Sequence, residues 1–152
     1  MSRKTVFAAN FLFAAALAFC STAFAQSSSD ACSLLTQAQV SAAVSAQVGA
    51  GVYVTPTFKA TCTWTAPGKI VTLMTESTSA YQSGKTPISP VMQIVPAPGI
   101  GDDAYYVVEN TIVMLFTRKG TVAFKTSIYS KLPIATLESM ESKLAQQVAS
   151  EL

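Results

Sequence analysis

The stretch "AYYVVENTIVMLFTRKGTVAFKTSIY", residues 104–129, holds three runs of β-branched and aromatic residues. Two short polar breaks, Glu109-Asn110 and Arg118-Lys119-Gly120, separate them. Short apolar runs bounded by turn residues read as strands joined by hairpins. The stretch therefore predicts an antiparallel meander with strands over 104–108, 111–117 and 121–129.

The two-residue period extends upstream. Residues 52–59 read as an edge strand in which Pro56, lacking an N–H, marks a break or bulge. Residues 61–65 place Cys62 and Trp64 on one face, Ala66-Pro67-Gly68-Lys69 is a tight turn, and 70–76 is the return strand. Residues 77–90 are rich in Ser, Thr, Gly and Pro and read as a loop with one helical turn near Ala80-Tyr81. Residues 91–95 read as a short strand.

Helical patterns flank the strands. In "LLTQAQVSAAVSAQVG", residues 34–49, Thr36 and Gln39 have capping-box spacing, with Leu35 and Val40 at the staple positions. Val40, Val44 and Val48 recur every fourth residue beside Ala43, and Gly49 and Gly51 are expected to stop this helix. Residues 133–152 put Leu137, Met140, Leu144, Val148 and Leu152 on one face, with Glu138, Glu141 and Lys143 largely off it. The expectation is an α+β fold: a twisted antiparallel sheet of about five or six strands, covered on one face by the N-terminal and C-terminal helices.

The first residues read as an export signal. Arg3 and Lys4 precede an apolar run over 6–19, and Ala23-Phe24-Ala25 has the small-x-small pattern of a signal-peptidase site. The expected division is a signal peptide over 1–25, a leader over 26–31 and one domain over 32–152. The apolar run is short for a membrane span. A lipid anchor at Cys20 is the rival reading, and Phe19 departs from the small residue that normally precedes a lipidated cysteine. No stable membrane insertion is expected after cleavage, and the destination is the periplasm or the exterior.

Cleavage leaves 127 residues with eight basic and eight acidic side chains. A near-neutral domain without a basic cluster lacks the surface that displaces counterions from phosphate, so nucleic acid is not an expected partner. The chain has no histidine, which removes Ser-His-Asp and Cys-His catalysis and any histidine-bearing zinc site. No catalytic residue, metal or cofactor is assigned. Cys32 and Cys62 are the only cysteines after cleavage. In an oxidising compartment such a pair forms a structural disulfide, stabilising by about 3–4 kcal/mol on the chain-entropy view.

The segment "GIGDDAYY", residues 99–106, most resembles a site. Gly99 and Gly101 permit unusual backbone angles, and Asp102 has the position of an Asx turn that bonds its own backbone. The structural turn is the main reading. The functional one is a ligand-contacting loop with Asp102 or Asp103 as acceptors and Tyr105 or Tyr106 as a stacking surface. A calcium site needs six or more oxygens. As an acid/base pair Asp102 and Asp103 are poorly placed, because adjacent strand residues face opposite ways.

Taken together, "DACSLLT" opening a helix at Thr36, "CTWT", "GIGDDAYY" and a C-terminal amphipathic helix resemble a family of small exported bacterial proteins. Many of its members are lipoproteins, and they carry a domain of unknown function. The resemblance spans about residues 30–152. It implies a compact α+β domain with a disulfide and no catalytic residues. The leading functional expectation is a non-enzymatic exported domain that binds a protein or a cell-envelope component. The alternatives are a small-ligand carrier with a pocket between sheet and helices, and a hydrolase using two convergent carboxylates. N-terminal sequencing of protein from the exporting cell is expected to begin at Gln26; a lipid-blocked Cys20 would contradict this.

Overall fold

A computed structural model describes residues 30–152. The expected signal peptide over 1–25, the lipidation alternative at Cys20 and residues 26–29 of the expected 26–31 leader lie outside the described residues. Among the described residues no helix is long and apolar enough to cross a membrane.

The chain begins with a single 3₁₀ turn, Ala31–Ser33, whose Ala31 is fully buried. Cys32 in this turn is disulfide-bonded to Cys62, with the two Cα atoms 5.0 Å apart. Helix α1 follows over Gln37–Val44. Its capping box forms: Thr36 Oγ1 accepts the Gln39 N–H and Gln39 Oε1 accepts the Thr36 N–H at 2.7 Å, satisfying two otherwise orphaned donors. The helix ends earlier than its apolar stripe. Ser45 adopts the left-handed conformation at φ 50°, so Val48 lies outside the helix while remaining buried. Side chains of α1 hold the returning chain: Ser41 Oγ accepts the Val48 N–H, and Gln37 Nε2 donates to the Val48 carbonyl.

The strands are β1 (Val52–Thr55), β2 (Phe58–Ala66), β3 (Lys69–Glu76), β4 (Met92–Pro96), β5 (Asp103–Glu109), β6 (Ile112–Lys119) and β7 (Val122–Tyr129). They form one seven-stranded sheet in the order β1-β2-β3-β7-β6-β5-β4, with every adjacent pair antiparallel. The count exceeds the expected five or six. Pro56 marks the expected break, at the hairpin turn between β1 and β2, with a register irregularity just before it between Tyr53 and Thr55, and 92–96 pairs fully with β5. The helical turn near Ala80-Tyr81 is helix α2, Thr78–Ser83. Helix α3 spans Ile134–Glu151 after Pro133, whose missing N–H costs nothing at a helix start.

Strand alternation separates two sets of side chains. Trp64, Val71, Leu73, Leu115 and Phe124 share the larger buried cluster with Val40 and Val44 of α1 and Leu137, Leu144 and Val148 of α3. Tyr105, Val107, Phe116 and Ala123 form a second cluster with Tyr81 of α2. The Tyr105 and Phe116 rings, paired in register, stack at 5.1 Å.

Glu141 departs from the expected polar face of α3: it is 0% exposed. Ladder pairing between β6 and β7 stops at Met114 and Ser127 although both strands continue. Just beyond that point the Ile128 N–H donates to Glu141 Oε1 at 2.9 Å, so the side chain supplies the acceptor that the ladder lacks. Burial pushes the Glu141 carboxyl up to about 9, opposed by backbone N–H bonding and reinforced by the charge of Glu138. Its Oε2 and the hydroxyls of Thr117 and Thr126 have no protein partner.

A folded state that holds Glu141 protonated is favoured below the ordinary carboxylate value of 4.5. It loses that advantage as pH rises towards about 9, because the unfolded chain releases the proton readily and the folded one does not. Glu141→Gln keeps an acceptor oxygen for Ile128 and cannot ionise. Denaturant melts across this pH range are expected to show a smaller loss of stability in the variant than in the parent; parallel curves would contradict the buried neutral acid.

Candidate functional site

The glycine–carboxylate segment leads into β5 beside the β6–β7 turn. Gly99 and Gly101 have φ of 83° and 58°. At Gly101 a Cβ would also lie 2.6 Å from the Arg118 carbonyl oxygen, so both conformation and space require glycine. This close approach lets the Asp102 N–H donate to the Arg118 carbonyl at 2.9 Å. The Asp102 carboxylate does not fold back on its own backbone as an Asx turn would. Its Oδ2 accepts the Gly120 N–H at 2.7 Å and its Oδ1 accepts from Lys119 Nζ at 3.2 Å. Those two bonds, the Gly120 amide first, hold the Asp102 carboxyl below its ordinary range. Asp102 therefore clamps the 118–120 turn to the start of β5.

The other three residues point elsewhere. Asp103 accepts from Lys85 Nζ, which lies beyond α2 and 5.2 Å from the centre of the Tyr81 ring. This bond is the main reason its carboxyl is also depressed. Tyr105 is buried in the α2 cluster, where its hydroxyl donates to the Tyr81 carbonyl at 2.7 Å. A Cβ on Gly84 would collide with that hydroxyl, so the residue that ends α2 is small for a packing reason. Tyr106 faces the other way, buried beneath α3, with its hydroxyl donating to the Glu138 carbonyl and bonded to Ser142 Oγ. Burial raises the pKa of both tyrosine hydroxyls. The four side chains thus serve a turn clamp, an ion pair and two packing clusters, and they do not converge on one point.

Two further carboxyls are pushed up by burial, Glu76 and Glu141. Glu76 is in register with Ala123 of the α2 cluster, whereas Glu141 meets the Ile128 amide from α3. The sheet separates them, so they do not form a convergent acid/base pair. Among the described residues no group of three or more acidic, cysteine or histidine side chains is placed to hold a metal ion.

A different region offers open space. Two clefts, of about 450 and 510 Å³, share a wall formed by Tyr129, Ser130, Lys131 and Leu132. The first lies where β6 and β7 stop pairing and is lined by Ile112 to Met114. The second lies against the β2–β3 turn and is lined by Gly68, Lys69 and Ile70. Tyr129 is 75% exposed, Ile112 51% and Ile70 43%, and Ile70 is the register partner of Tyr129. Strand alternation signals Ile70, Ile112 and Tyr129 only as members of the face opposite Val71, Val113 and Ile128. Nothing local marks that end as uncovered.

No protein-family model, curated protein or solved structure matches the chain.

Gly101→Ala is expected to lower unfolding free energy by about 1–3 kcal/mol, from a strained φ and a backbone collision. Tyr105→Phe is expected to cost about 1 kcal/mol for the lost buried hydrogen bond. Thermal melts of both variants check this; an unchanged melting temperature for either would contradict its assigned role.

Proposed function

We propose that the protein is an exported, non-catalytic binding domain and that its binding surface is the end of the sheet around Tyr129. In this reading α1 and α3 back one face of the sheet, and α2 covers part of the other. The Tyr129 end remains free to meet a protein or a component of the cell envelope. One observation carries it: Ile70, Ile112 and Tyr129, all substantially exposed, come together around two adjoining clefts. Exposed apolar side chains are ordinary singly, but a contiguous group around concave surface is the usual mark of an interaction site. The disulfide fits an oxidising destination. The separate internal bonding of Asp102 and Asp103, and the placement of Glu76 and Glu141 on opposite faces of the sheet, support a non-enzymatic role. The resemblance to small exported bacterial proteins points the same way. A carrier pocket between sheet and helices has less support, since Val40, Val44, Leu137, Leu144 and Val148 are all essentially inaccessible there.

A photoreactive residue placed at Tyr129 or Ile112 in exporting cells tests the surface directly. Adducts with an envelope protein or lipid are expected from both positions and not from Lys143 on the exposed side of α3. Equal labelling from Lys143, or none from Tyr129 and Ile112, would contradict the assignment.

A further inference from the structure

The charges around the clefts specify the partner further, on the reading that this end is the binding surface. Lys69 lines one cleft and Lys131 lines both, and no carboxylate lines either among the described residues. Lys59, Lys85, Arg118 and Lys119 each form an ion pair with Asp30, Asp102 or Asp103. Among the described residues, Lys69 and Lys131 take part in no ion pair. Glu109 is the register partner of Ile112 across the β5–β6 hairpin, and Glu141 on α3 accepts the amide of the cleft-lining Ile128, but neither residue lines a cleft. Asp102 and Asp103 lie at the opposite end of β5. The domain is near neutral overall, yet it places two uncommitted ammonium groups beside an exposed tyrosine and two exposed isoleucines.

That combination has a specific complement. Tyrosine favours the boundary between hydrocarbon and water, because its ring is apolar and its hydroxyl stays hydrated. Lysine buries its aliphatic stem while its ammonium reaches outward to phosphate. An anionic lipid surface offers both layers at once: acyl chains just below a plane of negative headgroups. We propose that the Tyr129 end docks on an anionic phospholipid surface. Ile70, Ile112 and Tyr129 enter the headgroup boundary, while Lys69 and Lys131 contact lipid phosphates. This is reversible adsorption at the surface. Three apolar side chains bury little area and two lysines add modest attraction, so affinity depends on both contributions together.

The test is co-sedimentation of the protein purified from exporting cells with phosphatidylcholine vesicles, with and without a one-third share of phosphatidylglycerol. Binding is expected to the anionic vesicles alone and to weaken as salt screens the lysines. Lys69→Glu combined with Lys131→Glu is expected to lower partitioning roughly tenfold or more. Tyr129→Ser is expected to lower it while keeping the salt dependence, and Lys143→Glu is expected to match the parent. Equal binding to neutral vesicles, parent-like binding by the charge-reversed variant, or no binding at all would overturn the lipid assignment. If vesicles are not bound but photoreactive residues at Tyr129 and Ile112 still capture an envelope protein, the lipid proposal falls and the surface stands. If neither occurs, the surface assignment falls as well.

Discussion

The structure depends on one pairing that the chain cannot make locally. Strands β1 to β3 are linked by hairpins, and so are β5 to β7, with β4 added to β5. These two ribbons become one sheet only through β3 and β7, paired from Ile70 with Tyr129 to Glu76 with Ala123. The partners are far apart in sequence, so the pairing must overcome the closure entropy of everything between them. Its two faces provide the compensation. Val71 opposite Ile128 and Leu73 opposite Thr126 enter the larger core, while Ala123 enters the α2 cluster. The same register sets Ile70 beside Tyr129, so the strand pairing that completes the sheet also builds the exposed patch between the clefts.

The two ends of the sheet treat their polar groups in opposite ways. At the end that carries the β6–β7 turn, Asp102 is bonded to the Gly120 amide and to Lys119, and Asp103 to Lys85. Such charges are occupied within the chain and offer little to a partner. At the Tyr129 end the ladder between β6 and β7 opens, Glu141 takes the released Ile128 amide, and Lys69 and Lys131, which form no ion pair among the described residues, stand beside apolar side chains. The acidic segment that looks most like a site is thus a fastening, and the proposed interaction surface belongs to residues with no chemical signature of their own.

This contrast explains what could be read in the sequence. Signals that act within a few residues were legible: the Thr36–Gln39 capping box, the hairpin turns and the strand periods of 104–129. The Cys32–Cys62 bond was legible because these are the only two cysteines after the expected cleavage site. Features set by a neighbour across the sheet were not. Asp102 has the composition of an Asx turn, but Gly101 lets it approach the 118–120 turn and find the Gly120 amide instead. Glu141 falls off the apolar stripe of α3 when counted along the helix, yet the open ladder at Ile128 draws it inside. The valine stripe of α1 suggests a helix through Val48, but Ser45 turns left-handed and Val48 is buried from the returning chain. Helical periodicity records burial, not the conformation that achieves it. The exposed Tyr129 end depended on strand order, which no local pattern encodes.

Native-state hydrogen exchange across the β3–β7 seam tests the central claim most directly. If this pairing unites the two ribbons, the protected amides of residues 71–75 and 124–128 exchange only through global unfolding, with the same opening free energy on both strands. Exchange of β1 to β3 through a cheaper opening that leaves β4 to β7 protected would contradict it, and would show two ribbons in contact where one cooperative sheet is claimed.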